Sequence, residues 1–246
     1  MWIAAGAVMF GAGITQGALG FGFPTISTPF LVLMTDVKTA IILNLLPNLA
    51  VNCIGVAKGG HWAQSLGRYW PVAAWVLAGS FLGTQFLIHA PQEPIRILLG
   101  LAIFAYLYQG LLAHLDWSWL RAKPGLSAMA FGLSGGFFSG TVNQALPPLL
   151  IYFTLLGLET MAMTQILNLC FLGGKVVQAA TLGAAGEVRM QQVLANVPLT
   201  LVALAGLYTG MRVQARVRPG TYQRWLRYVL FVLALVLLWQ GSRWFW

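Results

Sequence analysis

Long apolar stretches separated by short polar connections run through the whole chain. A stretch of about 20 apolar residues is long enough to cross a bilayer as a helix. The connections leave no room for a separate soluble domain, so the pattern predicts an all-α integral membrane protein. It predicts eight hydrophobic segments, at residues 2–34, 38–57, 69–89, 95–114, 124–156, 160–182, 192–211 and 223–241.

The first and fifth segments are too long for one straight crossing. Each runs to about thirty residues, or roughly 45–50 Å at the helical rise, whereas the hydrocarbon core is about 30 Å thick. Both are rich in glycine and proline, so we expect two broken helices whose unwound middles are buried within the protein. These residues are Gly11, Gly13, Gly17, Gly20, Gly22, Pro24 and Pro29 in the first segment, and Gly132, Gly135, Gly136, Gly140, Pro147 and Pro148 in the fifth.

The chain also repeats its own motifs in the same order. FGAGITQGALGFGFPTISTPFLVLM is answered by FGLSGGFFSGTVNQALPPLLIYF, IILNLLPNL by QILNLCFLG, AGSFLG by AGLYTG, and YLYQG by LLWQG. The second pair aligns Asn44 with Asn168. The matches predict two homologous halves, 1–115 and 122–246, that together form one transmembrane domain.

The basic residues discriminate between two arrangements of these halves. If all eight segments cross, the halves are parallel and the basic residues of the loops divide six to seven between the two sides. This even division does not indicate which side is cytoplasmic. If the first and fifth segments enter and leave on the same side, the halves are inverted and the charges divide nine to four. Cytoplasmic loops show such a bias, so we predict an inverted repeat with both termini outside. The nine are Lys58, Arg68, Arg121, Lys123, Arg212, Arg216, Arg218, Arg224 and Arg227, and the four are Lys38, Arg96, Arg189 and Arg243.

Composition supports a membrane setting. Hydrophobic residues make up 59% of the chain and charged residues 8%, against roughly 25% charged in soluble domains. The net charge of +9 lies in short connections, which is typical of cytoplasmic loops, so no nucleic-acid partner is expected. Both cysteines lie in apolar runs and predict no disulfide framework. The first segment follows Met1 directly, and we expect no removable signal peptide.

One cation lies deep in a predicted span. Lys175 is near the middle of segment 160–182, where a lysine costs roughly 2.5–3.5 kcal/mol on insertion scales. No acid lies within two helical turns of it in sequence, which favours an anionic ligand over snorkelling or a distant carboxylate partner. Gly173 and Gly174 would let another backbone approach. The five acids all lie at predicted span ends, which argues against a cation pump.

Amide side chains follow the same predicted helices. Asn44, Asn48 and Asn52 form one stripe on the second segment, while Asn168 shares a face of the sixth with Lys175. Hydrogen bonds between helices would explain a single amide, but a stripe that faces a lysine favours a polar cavity. The candidate substrate-binding residues are Lys175, Asn44, Asn48, Asn168 and Gln16, and the expected lining adds Gln178, Thr15, Ser27, Thr28, Ser139, Thr141, Asn143 and Gln144.

Broken helices suit an anion for a second reason. Their free ends expose N–H groups and positive dipole ends, and secondary transporters place such breaks at the midplane between repeats. We therefore expect the site at the interface of the two halves.

Several of these motifs resemble a known family. The GALGFGFPTISTP stretch, its weaker echo at 132–148, and the AGSFLG…PIRILLG and AGLYTG…YQRWLRYVL pairs are similar to the TauE/SafE sulfite and organosulfonate exporters. The resemblance covers nearly the whole chain and implies a duplicated four-segment design. It also implies export or uptake of small sulfur-containing or carboxylate anions across the inner membrane. Phe23 and Pro24 stand where the family usually continues its glycine run.

These observations predict a secondary transporter, an exporter of a small anion such as sulfite or an organosulfonate. No P-loop is present in the sequence, so ATP would not drive it, and a proton could ride on the substrate. We expect no cofactor and no enzymatic activity, with the anion, membrane lipids and a possible second copy as partners. A membrane-embedded enzyme, which would need a nucleophile, base or metal cluster at depth, and a passive anion channel are the alternatives.

Overall fold

A computed structural model describes residues 2–60, 62–113, 116–213 and 219–242. These residues form thirteen helices and no strand, so the all-helical architecture predicted from the sequence is confirmed. In chain order the helices are α1 Trp2–Leu19, α2 Phe23–Met34, α3 Val37–Gly59, α4 Trp62–His89, α5 Gln92–Leu107, α6 Gln109–Ala113, α7 Trp119–Ala122, α8 Pro124–Val142, α9 Leu146–Leu155, α10 Thr160–Ala184, α11 Met190–Ala195, α12 Val197–Val213 and α13 Pro219–Ser242.

Helix length and composition are those of a membrane protein. Within the described part of the chain, α1, α3, α4 and α10 are long and apolar enough to cross a bilayer. Four shorter apolar helices accompany them: α2, α9, α12 and the Arg227–Ser242 part of α13. The buried apolar side chains form two clusters, one that includes α2 and one that includes α9.

The first long segment is divided into two helices. α1 ends at Leu19 and α2 begins at Phe23. Gly20 and Gly22, in the connection, have φ angles of 83° and 107°, which glycine adopts without the steric cost of a Cβ. Pro24 lies in the first turn of α2, where its missing N–H leaves no helical hydrogen bond unmade.

The fifth segment is divided in the same way. α8 ends at Val142 and α9 begins at Leu146. Asn143 follows α8 with a φ of 59° and is the one non-glycine residue with positive φ in the described ranges. Asparagine tolerates this left-handed conformation better than most residues because its short polar side chain can hydrogen-bond locally. Each break therefore begins with a left-handed residue, Gly20 or Asn143.

Two helix pairs are in backbone contact through glycine. α1 packs on α12, and a Cβ added at Gly17 would lie 2.1 Å from the Leu207 carbonyl oxygen. α8 packs on α4, and a Cβ added at Gly136 would lie 2.2 Å from the Val76 carbonyl oxygen. A side chain at either position would push the backbones apart, so glycine is required for both crossings.

Helices α3 and α10 pack together and run antiparallel. At one end, Lys38 Nζ lies 2.9 Å from Glu187 Oε1, just beyond the last residue of α10. Towards the other end, the Asn168 side chain lies so close to Gly55 that a Cβ there would approach its Oδ1 to 2.6 Å. The start of α3 therefore lies beside the end of α10, and α10 brings its polar side chains to both helix breaks.

Candidate functional site

Lys175 lies at the second helix break. It is 2% exposed, and its ammonium group donates to the side-chain oxygens of Asn143 and Gln178. Gln178 is held in turn, because its Nε2 donates to the Gly140 carbonyl oxygen at 2.7 Å. Among the residues that the structure describes, no carboxylate pairs with Lys175, since the one ion pair found there joins Lys38 and Glu187. The buried charge is therefore surrounded by neutral amides.

The hydrogen-bond network extends from Lys175 to α2 and α3. Asn143 Nδ2 donates to Thr28 Oγ1 at 3.3 Å, and Asn44 Nδ2 donates to the same oxygen at 3.2 Å. All of these side chains are almost completely buried. The second break, α2, α3 and α10 thus meet at one polar cluster, which we call the lysine cluster: Lys175, Gln178, Asn143, Thr28 and Asn44.

Two other predicted residues form a separate cluster at the first break. Gln16 Nε2 donates to Asn168 Oδ1 at 2.8 Å, and the Phe23 N–H donates to Gln16 Oε1 at 2.9 Å. Asn168 Nδ2 donates to the Gly20 carbonyl oxygen at 2.8 Å. These bonds fasten the free end of α1 and the start of α2 to α10. The structure therefore brings Gln16 and Asn168 together, in a cluster separate from the one that contains Lys175 and Asn44.

Asn48, Ser27 and Thr141 have side-chain partners outside the lysine cluster. Asn52 Nδ2 donates to Asn48 Oδ1 along α3, and no hydrogen bond between described residues joins Asn48 to either cluster. The Ser27 hydroxyl donates to the Phe23 carbonyl oxygen in the preceding turn. The Thr141 hydroxyl donates to the Gly83 carbonyl oxygen at 3.0 Å, which ties α8 to α4.

A cavity reaches the first break. It measures about 260 Å³ and is lined by Gln16, Gly20, Thr164, Lys58 and Met211 among others. Lys58 Nζ also lies 5.8 Å from the centroid of the Tyr208 ring. Lys175 is not among the lining residues. None of the five lysine-cluster residues lines this cavity, whereas Gln16 of the first break does.

The lysine cluster can bind a small anion. An ammonium group carries three N–H donors, and Lys175 uses two acceptors, both of them neutral. An anion would supply the missing negative charge, and the buried position would strengthen that attraction. The described ranges contain no group of three or more His, Cys, Asp or Glu side chains arranged to hold a metal ion.

Sequence reasoning ranked these residues differently. It placed Asn48 among the binding residues and treated Asn143 and Thr28 as general lining, although both hold the lysine cluster together. It did not consider Ser80, whose hydroxyl donates to the Gly174 carbonyl oxygen at 2.7 Å beside Lys175. The available signal was the AGSFLG motif, where a buried serine lies between two glycines that contact the neighbouring helix.

Comparison with known proteins gave one match. The family model described as Sulfite exporter TauE/SafE matches residues 5–237, which is nearly the whole chain. Comparison with curated proteins and with solved structures gave no match.

Proposed function

The chain belongs to the TauE/SafE sulfite exporter family, and from this premise we propose that it exports a small anion, such as sulfite or an organosulfonate, that binds at Lys175. The family is one of membrane transporters, and the helices of this chain agree with such a protein. The observation that carries the proposal is the buried lysine, whose hydrogen-bond partners among the described residues are amides alone. A buried charge without a counter-charge is costly, and a substrate anion would remove that cost.

We propose that the two halves, 1–115 and 122–246, are inverted repeats. Asn44 of α3 and Asn168 of α10 occupy equivalent positions in the repeated motifs. Equivalent helices of parallel repeats would run in the same direction across the membrane. The antiparallel packing of α3 and α10, with Lys38 beside Glu187, supports inversion instead.

The glycine contacts support the same relationship. Gly13 of α1 faces the backbone of Ala203 and Leu207 in α12, and Gly136 of α8 faces the backbone of Val76 and Ser80 in α4. The AGSFLG and AGLYTG motifs align Val76 with Ala203 and Ser80 with Leu207. Each half therefore packs its third hydrophobic segment, α4 or α12, against the first helix of the other half, α8 or α1, as a two-fold relationship requires.

The ends of the fifth segment support a re-entrant path. Arg121, just before α8, donates from Nη2 to the Leu155 carbonyl oxygen at the end of α9, at 3.4 Å. A segment that crossed the bilayer would separate these ends by about 30 Å. We propose that each broken segment enters and leaves on one side of the membrane. By the positive-inside bias this is the cytoplasmic side for α8 and α9 and the opposite side for α1 and α2.

Transport then follows from alternate exposure of one central site. The cavity at Gln16 and Lys58 provides the approach from the side that carries most of the basic residues. Movement of one half against the other would open the lysine cluster to each side in turn. We propose that the protein is a multi-pass secondary transporter of the inner membrane. Lipids would contact its outer helices, and a homodimer is compatible with those helices.

The first test is sulfite flux in proteoliposomes that contain the purified chain. We expect saturable uptake of radiolabelled sulfite, competition by organosulfonates, and loss of uptake in Lys175→Met. Saturation distinguishes a transporter from a passive anion channel, whose flux would rise with concentration and carry an electrical current. Sulfite recovered in altered chemical form would indicate an enzyme.

The control for Lys175→Met is Lys38→Met, which removes a cation from the edge of the fold and not from the lysine cluster. It should retain uptake. Monodisperse elution and a cooperative melt would show that each variant is folded, and Lys175→Arg serves as a second variant if Lys175→Met fails this check. Undiminished uptake by folded Lys175→Met would refute the assignment of the site.

A further inference from the structure

Three buried oxygens in or beside the lysine cluster have no hydrogen-bond partner among the residues that the structure describes. They are Asn44 Oδ1, Gln144 Oε1 and Thr25 Oγ1. These three residues are at most 2% exposed. Native proteins pair the large majority of buried polar atoms, so three exceptions in one region call for an explanation.

The three oxygens belong to the same region of the fold. Gln144 follows Asn143, which accepts from Lys175, and its Nε2 donates to the Pro24 carbonyl oxygen at 3.2 Å. Asn44 donates to Thr28, one turn further along α2. Thr25 lies between Pro24 and Thr28 on that helix. The first two turns of α2 therefore link all three oxygens to the cluster that holds the ammonium group.

The orientation of both amides is fixed by backbone carbonyl groups. Amide nitrogen and oxygen atoms are assigned from the hydrogen-bond network. Asn44 Nδ2 also donates to the Ala40 carbonyl oxygen at 3.2 Å, and Gln144 Nε2 donates to that of Pro24. Because a carbonyl oxygen only accepts, the nitrogen of each amide must face it. The unpaired atom of each amide is therefore its oxygen, which can only accept.

A ligand that complements these groups needs both a hydrogen-bond acceptor and a hydrogen-bond donor. Lys175 offers N–H donors to an anionic oxygen, while Asn44 and Gln144 offer acceptors. A fully deprotonated oxyanion would satisfy the lysine but present only negative oxygens to the amide oxygens. A metal cation would satisfy the amide oxygens but would be repelled by the ammonium group, which binds the residue adjacent to Gln144.

We infer that the site binds a monoanion that carries its own hydrogen-bond donor. The substrate class is then hydrogen sulfite in preference to the sulfite dianion, or a sulfonate that bears a hydroxyl or amino group. This inference rests on the proposed anion site at Lys175. In this inference Asn44 and Gln144 accept from the donor of the ligand, and Lys175 binds its negative charge.

The test compares two sulfonates that differ in one group. Propane-1-sulfonate and 2-hydroxyethanesulfonate have the same number of non-hydrogen atoms, and only the second has a donor. We expect the purified full chain, in sodium-free detergent buffer, to bind the hydroxyl compound about tenfold more tightly by titration calorimetry. Sites built to pair a ligand hydroxyl discriminate strongly against analogues that lack it.

Variants assign this preference to residues. Asn44→Leu and Gln144→Met should each bring the two affinities close together while binding of propane-1-sulfonate persists. Asn196→Leu is the matched control, because Asn196 is also a buried asparagine whose amide donates to a carbonyl oxygen, that of Ile42, at 3.1 Å outside the lysine cluster. It should retain the tenfold ratio. The comparison of ligands in the unaltered chain stands even if one variant fails to fold.

Three outcomes would overturn the inference. The unaltered chain could bind the two sulfonates with equal affinity, or both variants could leave the ratio of the two affinities unchanged. The third outcome is that the two sulfonates bind equally well, and only when sodium is added. The last would assign the amide oxygens to a cation. If folded protein binds neither sulfonates nor sulfite, the proposed function itself fails, which is a separate result.

Discussion

At the scale of single residues, the lysine cluster depends on one backbone conformation. Asn143 has positive φ and also accepts from Lys175 and donates to Thr28. A residue with a Cβ normally pays about 1–2 kcal/mol for this conformation, and asparagine is among the residues that tolerate it. Backbone and side chain therefore impose different requirements at the same position, and substitutions can separate them.

Asn143→Gly retains the backbone conformation and removes the amide. We expect the free energy of unfolding to change little and sulfite affinity to fall about tenfold or more, because the Asn143 amide no longer holds the ammonium group in position. Asn143→Leu should lose both affinity and stability. Thermal unfolding and calorimetry measure the two effects, and an Asn143→Gly protein that binds sulfite normally would remove this side chain from the site.

The sequence could predict part of this cluster and not the rest. Lys175 stands out because a lysine in an apolar run is rare and has no acid nearby in sequence. Its partners could not be ranked, since Thr28 and Asn143 are 115 residues apart and only the folded breaks bring them together. Asn48 fitted the amide stripe, but its bond to Asn52 runs along its own helix.

At the scale of helices, backbone contact through glycine determines the packing of α1 on α12. Gly13 is in contact with Ala203, whose carbonyl oxygen would lie 2.3 Å from an added Cβ. Gly11, half a turn earlier on the same helix, has nothing within 4 Å of an added Cβ. The two positions thus form a matched pair within one helix.

Gly13→Ala should lower stability by about 1–3 kcal/mol through overpacking. Gly11→Ala should be neutral or stabilise by up to about 1 kcal/mol through helix propensity. Urea or thermal unfolding in detergent would measure the difference. Equal effects at both positions would mean that the α1–α12 contact does not limit stability.

Helix boundaries illustrate what length and composition can predict. The excess length of the first and fifth segments, with their glycines and prolines, indicated breaks, and the structure has one in each. The register between halves was not accessible from the motifs. The Phe-Gly starts of the two motifs align Gly13 with Ser134. The helix contacts instead favour Gly136 as the equivalent of Gly13 in the proposed repeat.

At the scale of the whole molecule, the proposed re-entrant path determines which connections would share a side of the membrane. Ser118 precedes α8, and Glu159 follows α9. Both should lie on one side, opposite Lys38. In a fold with eight crossings, Ser118 and Glu159 would lie on opposite sides.

Cysteine labelling in intact cells tests this arrangement. In a background with Cys53→Ser and Cys170→Ala, single Ser118→Cys and Glu159→Cys variants should react with an impermeant maleimide only after the cells are opened. Lys38→Cys should react in intact cells. Labelling of Ser118→Cys and Glu159→Cys from different sides would refute the re-entrant path.

The contact between α1 and α12 also has a consequence for biogenesis. Gly13 meets a partner about 190 residues later in the chain, so α1 leaves the ribosome long before α12 exists. At roughly 5–20 residues per second, this delay is on the order of ten to forty seconds. During that time the glycine face of α1 has no native neighbour, so the insertion machinery or a membrane chaperone must shield it until the last third of the protein is synthesised.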